Sequence, residues 1–152
     1  MRDKDGISAA VDFLALAAEL AASGTTFAQH QANFDGFFGA YASGQISVRV
    51  DDLAAIDSTM QRFRRNAPSH LGGIAVQSID DFSDGFGQFG PTDLLRFWVG
   101  DSARVIVRPS GTEPKLKVYI DTWSRNGSAA ERRTEAEAQV AALEADLRPL
   151  LA

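Results

Sequence analysis

The sequence predicts an α+β fold: a four-stranded, mainly antiparallel sheet with two helices on one face, preceded by a separate pair of helices. Three observations lead there. Apolar residues recur at helical spacing through roughly the first forty positions. From Ile46 onward, short β-branched runs alternate with clusters of Gly, Pro and Asp. A Ser-initiated amphipathic stretch then closes the chain. With 45% hydrophobic and 23% charged residues, the composition is that of a folded domain.

Residues 7–22 are predicted as a helix, with Ile7, Val11, Leu14, Ala18 and Ala21 on one stripe and Gly24 as its stop. Phe13, Leu16 and Leu20 lie off that stripe, the pattern of a helix buried inside a larger body. A second helix is expected over 26–41, carrying Phe27, Phe34, Phe37, Phe38 and Tyr41. Ala42-Ser43-Gly44-Gln45 reads as a linker, which divides the chain into 1–43 and 44–152. Ile46–Val50 alternates like a half-buried strand. Asp51 or Asp52 should cap a helix whose Leu53, Ile56, Met60 and Phe63 share a face. Arg62, Arg64 and Arg65 crowd its last turn, a solvated end that suits the helix dipole.

Pro68 and Gly72-Gly73 break the chain before a strand at 74–79. Residues 80–93 form a loop whose Phe82, Phe86 and Phe89 plug the edge of the core. Strands are expected at 94–99, 103–108 and 115–122. The last helix opens with a capping box, Ser128 with Glu131. Ala136, Val140, Leu143 and Leu147 form its buried stripe, and Pro149 ends it.

The most informative stretch joins the last two strands: Arg108-Pro109-Ser110-Gly111-Thr112-Glu113-Pro114-Lys115. Arg108 offers a bidentate, charge-assisted fork for a phosphate dianion. Ser110 and Thr112 add hydroxyl donors, and Gly111 frees the backbone to curl its N–H groups around an anion. Glu113 and Lys115 stand beside these residues as support. Residues 104–125 carry a balance of +3 in a chain of net charge −5, a basic island that suits a small anion. Ser-Gly is also ordinary turn chemistry. An arginine two residues before the serine, with a proline on each shoulder, favours the anion.

This motif resembles the C-terminal phosphate-binding loop of the α-D-phosphohexomutases, the phosphoglucomutase/phosphomannomutase superfamily. Leu116-Lys117-Val118-Tyr119-Ile120 resembles the branch nearest bacterial phosphomannomutases. Arg2-Asp3-Lys4-Asp5-Gly6 and its apolar helix look like the late part of the family's third domain. The resemblance implies a TATA-box-binding-protein-like fold for 44–152 and makes 1–43 a helical remnant of domain three. It implies an enzyme that exchanges a phosphoryl group between C1 and C6 of glucose or mannose phosphate, through a phosphoserine, Mg²⁺ and a 1,6-bisphosphate. Arg108, Ser110, Gly111 and Thr112 would hold the non-reacting phosphate, and Lys4 would assist proton transfer. The family's phosphoserine loop, Asp-rich magnesium loop and Gly-Glu-x-Ser-Gly sugar loop find no match here. The chain alone is therefore expected to be inactive, to bind no Mg²⁺ itself, and to partner with the remaining mutase domains, with hexose phosphate, inorganic phosphate or sulfate as ligand.

Other classes fare worse. With no cysteine, neither disulfides nor thiolate metal sites can form. His30 and His70 lack the spacing of a metal pair, and no nucleophile elbow accompanies any Ser-His-Asp set. The negative net charge argues against a nucleic-acid-binding sheet. No apolar run approaches the ~20 residues that span a bilayer, and charged residues follow Met1, so a cytoplasmic location is expected. A free-standing sugar-phosphate-binding module is the rival reading. The apolar surface of residues 1–42 is expected to drive self-association.

Overall fold

The structure, a computed structural model, describes residues 4–50 and 52–151. In chain order the elements are α1 (Gly6–Ala22), α2 (Phe27–Phe38), β1 (Ala40–Arg49), α3 (Leu53–Arg65), β2 (His70–Leu71), β3 (Ile74–Asp81), β4 (Leu95–Val99), β5 (Ala103–Pro109), β6 (Lys115–Ser124) and α4 (Ala129–Leu150). The strands form one sheet of order β1-β6-β5-β4-β3-β2, antiparallel at every pairing. The fold is α+β, but the expected four-stranded sheet falls short both of the five runs marked as strands in the sequence and of the six strands observed. All five runs read as strands pair, and Gly72-Gly73, both at positive φ (59° and 75°), turns two further residues into a hairpin.

Strict alternation makes the core. Leu116, Val118 and Ile120 of β6, Val105 and Val107 of β5, and Leu95, Phe97 and Val99 of β4 are buried. Ile56, Met60 and Phe63 of α3 and Leu143 and Leu147 of α4 close over the same face. Asp52 caps α3 by accepting from the Ala54 amide; Asp51 lies outside the described residues. The capping box of α4 forms as expected, and α2 has a second one at Thr26 and Gln29. Arg64 corrects the reading of a solvated helix end: its guanidinium bonds Asp81 at 2.9 Å and Asp93 at 2.6 Å, tying α3 to the chain on both sides of the phenylalanine loop.

The linker expectation fails for a packing reason. Residues 42–45 lie inside β1, whose ten residues pair without interruption with β6. Gly44 is there for closeness to α4: a Cβ on it would meet Val140 Cγ1 at 2.7 Å and Glu144 Oε1 at 2.8 Å. The second helix accordingly stops at Phe38, Gly39 turns the chain at φ 99°, and Tyr41 belongs to the sheet.

The N-terminal pair differs in kind. Gly24, at φ 68°, ends α1 in a Schellman motif, with Gly24 N–H on Ala21 O and Thr25 N–H on Leu20 O. Phe13 stacks on Phe27 at 5.0 Å, which pins α1 to α2. Yet Ile7, Val11 and Leu14 are 82%, 61% and 67% exposed, so the larger body that the greasy pattern predicts is not supplied by the described residues. What holds α2 to the sheet domain is polar. Asp35, buried, takes both forks of Arg133 at 2.7–2.9 Å, and Arg132 donates to the Asp35 and Gly36 carbonyls at the helix end.

Candidate phosphate-binding loop

Pairing between β5 and β6 places the loop at one end of the sheet. Arg108 stands opposite Lys117, and Lys117 stands opposite Ser47 of β1 in turn. Arg49 faces Lys115 two positions further along, on the same face. Because cross-strand partners share a face, Arg49, Arg108, Lys115 and Lys117 gather at the loop end of the sheet's helix-free face. Arg108 is exposed, and its only described bond is from Nε to the Pro109 carbonyl at 3.1 Å, which leaves both terminal nitrogens open. Such a fork, held by its own backbone and facing solvent, is ready for a planar bidentate partner.

The loop backbone is fixed at its ends and open in its middle. Ser110 N–H donates to Lys115 O at 2.8 Å, and Val50 N–H donates to Pro114 O at 3.0 Å, which anchors the far shoulder to the chain after β1. Among the described hydrogen bonds, none engages the N–H groups of Gly111, Thr112 or Glu113, nor the hydroxyls of Ser110 and Thr112. Three successive free amides with two hydroxyls can serve the oxygens of one anion. Gly111 is not required by backbone strain. Its φ is not positive, and a Cβ would meet nothing within 4 Å, so the loop's own conformation does not demand glycine. What glycine leaves is open space beside the free amides.

Glu113 and Lys115 form an ion pair of 2.8 Å. The hydrogen bond from Lys115, then its charge and those of Lys117 and Arg49, hold the Glu113 carboxyl below its ordinary 4.5. That depression registers the local positive field from which an anion would also benefit. Lys4 precedes α1 with a left-handed φ of 62°, and no described hydrogen bond or ring contact of α1 reaches β5 or β6. Lys117, Arg49 and Ser47 escaped the sequence reading. The alternation of Lys115-Leu116-Lys117 marks Lys117 for the outer face, but Arg49 and Ser47 join only through the pairing of β1 with β6. Among the described residues no cluster of three His, Asp or Glu side chains could hold a metal ion, so no step through Mg²⁺ is derived from this chain.

The profile of the phosphoglucomutase/phosphomannomutase C-terminal domain matches residues 46–140, which include the loop and most of the sheet. The chain is 43% identical over 132 residues to a probable phosphomannomutase of Haemophilus influenzae, covering 87% of this chain and 27% of that protein. It is 31% identical over 137 residues to a phosphoglucomutase of Staphylococcus epidermidis and 29% identical over 140 to one of Staphylococcus aureus, covering 79% and 83% of this chain. The chain thus spans about a quarter of the length of these relatives. It belongs to the phosphoglucomutase/phosphomannomutase family and carries that family's C-terminal domain.

Proposed function

We propose that this chain is the phosphate-binding quarter of a phosphohexomutase that interconverts hexose 1-phosphate and hexose 6-phosphate through a 1,6-bisphosphate. The observation that carries the reading is the pairing of Arg108 with Lys117 beside a loop with three unengaged amides. Arg108, Lys117, Ser110, Thr112 and the Gly111 amide would hold the phosphate that is not reacting. Phosphoryl transfer depends on position and charge neutralisation, so a distal clamp contributes through binding energy remote from the breaking bond. Phosphoserine and Mg²⁺ would reside in the other domains, and Lys4 would act only where a preceding domain brings it to the reacting oxygen. Exposed apolar α1 supports such neighbours. We place the domain boundary at Gly39 and read the sheet with α3 and α4 as TATA-box-binding-protein-like, extended by β1 and β2. Among the described residues no single helix is long and apolar enough to cross a membrane, and a cytoplasmic setting is proposed from the sugar phosphate itself.

Titration of the chain with inorganic phosphate, followed by amide NMR, tests the site. The Ser110, Gly111 and Thr112 amides should move first, with a dissociation constant near millimolar, about −4 kcal/mol. Arg108→Lys keeps the charge and removes the fork, and should weaken binding by about tenfold or more. Shifts confined to another surface, or equal affinity in the lysine variant, would refute the reading.

A further inference from the structure

The helix-free face of the sheet has a second concavity at the end away from the loop. Register alone builds it: Trp98 pairs with Arg104, Arg104 with Asp121, and Trp123 with Tyr41. Together with Arg125 these residues line an open cleft of about 690 Å³. Arg104 lies four residues from Arg108 along β5, so the two places are ~13 Å apart at ~3.3 Å per residue. A hexose monophosphate gripped by the loop cannot set its ring there.

The walls are held in place before any ligand arrives. Trp98 donates its indole N–H to Asp80 at 2.9 Å, and the Arg96 guanidinium lies 5.1 Å from its ring centroid. Arg125 donates to the Tyr41 hydroxyl at 3.1 Å. Arg104 gives Nε and Nη2 to the same oxygen, Asp121 Oδ2, at 3.1 and 2.6 Å. That geometry leaves Asp121 Oδ1 as an acceptor and, on the far side of the guanidinium, Arg104 Nη1 as a donor, both without described partners. Preformed aromatic faces beside one acceptor and one donor match a ring with an apolar face and a hydroxylated edge. One ring hydroxyl can donate to the carboxylate while a different one accepts from the guanidinium. Arg104 and Asp121 offset each other and Arg125 leaves the lining at +1, against four cations and one carboxylate at the loop, so an anion is drawn to the loop more strongly than to this cleft.

We propose that this cleft binds an uncharged hexopyranose ring, a sugar site distinct from the phosphate loop. The test titrates the full chain with methyl α-D-mannopyranoside and methyl α-D-glucopyranoside and follows the Trp98 and Trp123 indole N–H signals by NMR. The expected result is saturable indole shifts at millimolar glycoside, with the Ser110, Gly111 and Thr112 amides unmoved. Asp121→Asn, nearly isosteric, should weaken glycoside binding by tenfold or more while leaving the phosphate titration intact. Tyr41→Ala should weaken it too, which guards against a folding defect in the first variant. Indole signals unmoved at tens of millimolar glycoside, shifts only at the loop, or unchanged affinity in both variants would overturn the proposal. Indole shifts that follow protein concentration instead of glycoside would assign the face to a second copy of the chain and overturn it equally. A failed phosphate titration would leave this result standing, because no residue is shared.

Discussion

Two parts of this molecule use apolar residues to opposite ends. In the sheet domain, Phe97, Val105, Val118 and Leu143 are fully buried in one core shared by α3, α4 and the sheet. In α1 and α2, Ile7, Val11, Leu14 and Phe37 face solvent, and attachment to the rest rests on charge: Asp35 with Arg133, and Arg132 at the end of α2. The difference teaches that hydrophobic composition alone does not mark a self-sufficient unit. A segment can be apolar enough for a core and still lack the second layer that would close it.

The largest effect should come from the sheet side. Phe97→Ala removes a ring that meets Phe63 at 5.9 Å in the closed core, and should cost ~3–5 kcal/mol in denaturant unfolding. Ile7→Ser, an apolar-to-polar change at an exposed site, should change stability by less than about 0.5 kcal/mol. Equal losses at the two positions would mean that α1 is part of the core after all. The serine variant should also lower any self-association measured by sedimentation, since it reduces the exposed apolar patch.

An intermediate effect belongs to the attachment itself. Asp35→Ala strands Arg133 and unties α2 from α4; a loss of about 1–3 kcal/mol is expected, at the lower end because Arg133 is partly exposed. Hydrogen exchange should quicken in α2 and remain slow in β5 and β6. Faster exchange throughout the sheet would show that the two parts unfold as one.

Much of this division was legible in the sequence. Capping at Ser128 and Glu131, the stripe through Leu143 and Leu147, and alternation in the β6 run are local patterns, and each forms where it is read. Gly44 misled because glycine in a strand and glycine in a linker look alike until α4 is seen lying on it. Arg64 misled because its partners Asp81 and Asp93 flank a loop whose path no local rule gives. At the candidate site, Arg108 to Thr112 are contiguous and readable. Arg49 and Ser47 arrive on a strand distant in the chain, so only the β1–β6 register reveals them.

A further small effect is a pH dependence within the sheet domain. The hydrogen bond from Arg64 holds the Asp81 carboxyl below its ordinary 3.8. A depressed carboxylate contributes stability that is complete above its unfolded pKa and fades as pH falls through the folded value. With Asp81 partly exposed, the contribution is less than about 1 kcal/mol. Arg64→Met should flatten the acid limb of the stability curve below about pH 4, and an unchanged limb would remove this pair from the account.

Removing residues 1–38 tests the central claim most directly, because β1 begins at Ala40 and Gly39 makes the turn before it. The account predicts a monomer that unfolds cooperatively and shows the same phosphate-induced shifts at Ser110, Gly111 and Thr112 as the full chain. A truncated chain that fails to fold, or folds and loses those shifts, would contradict it.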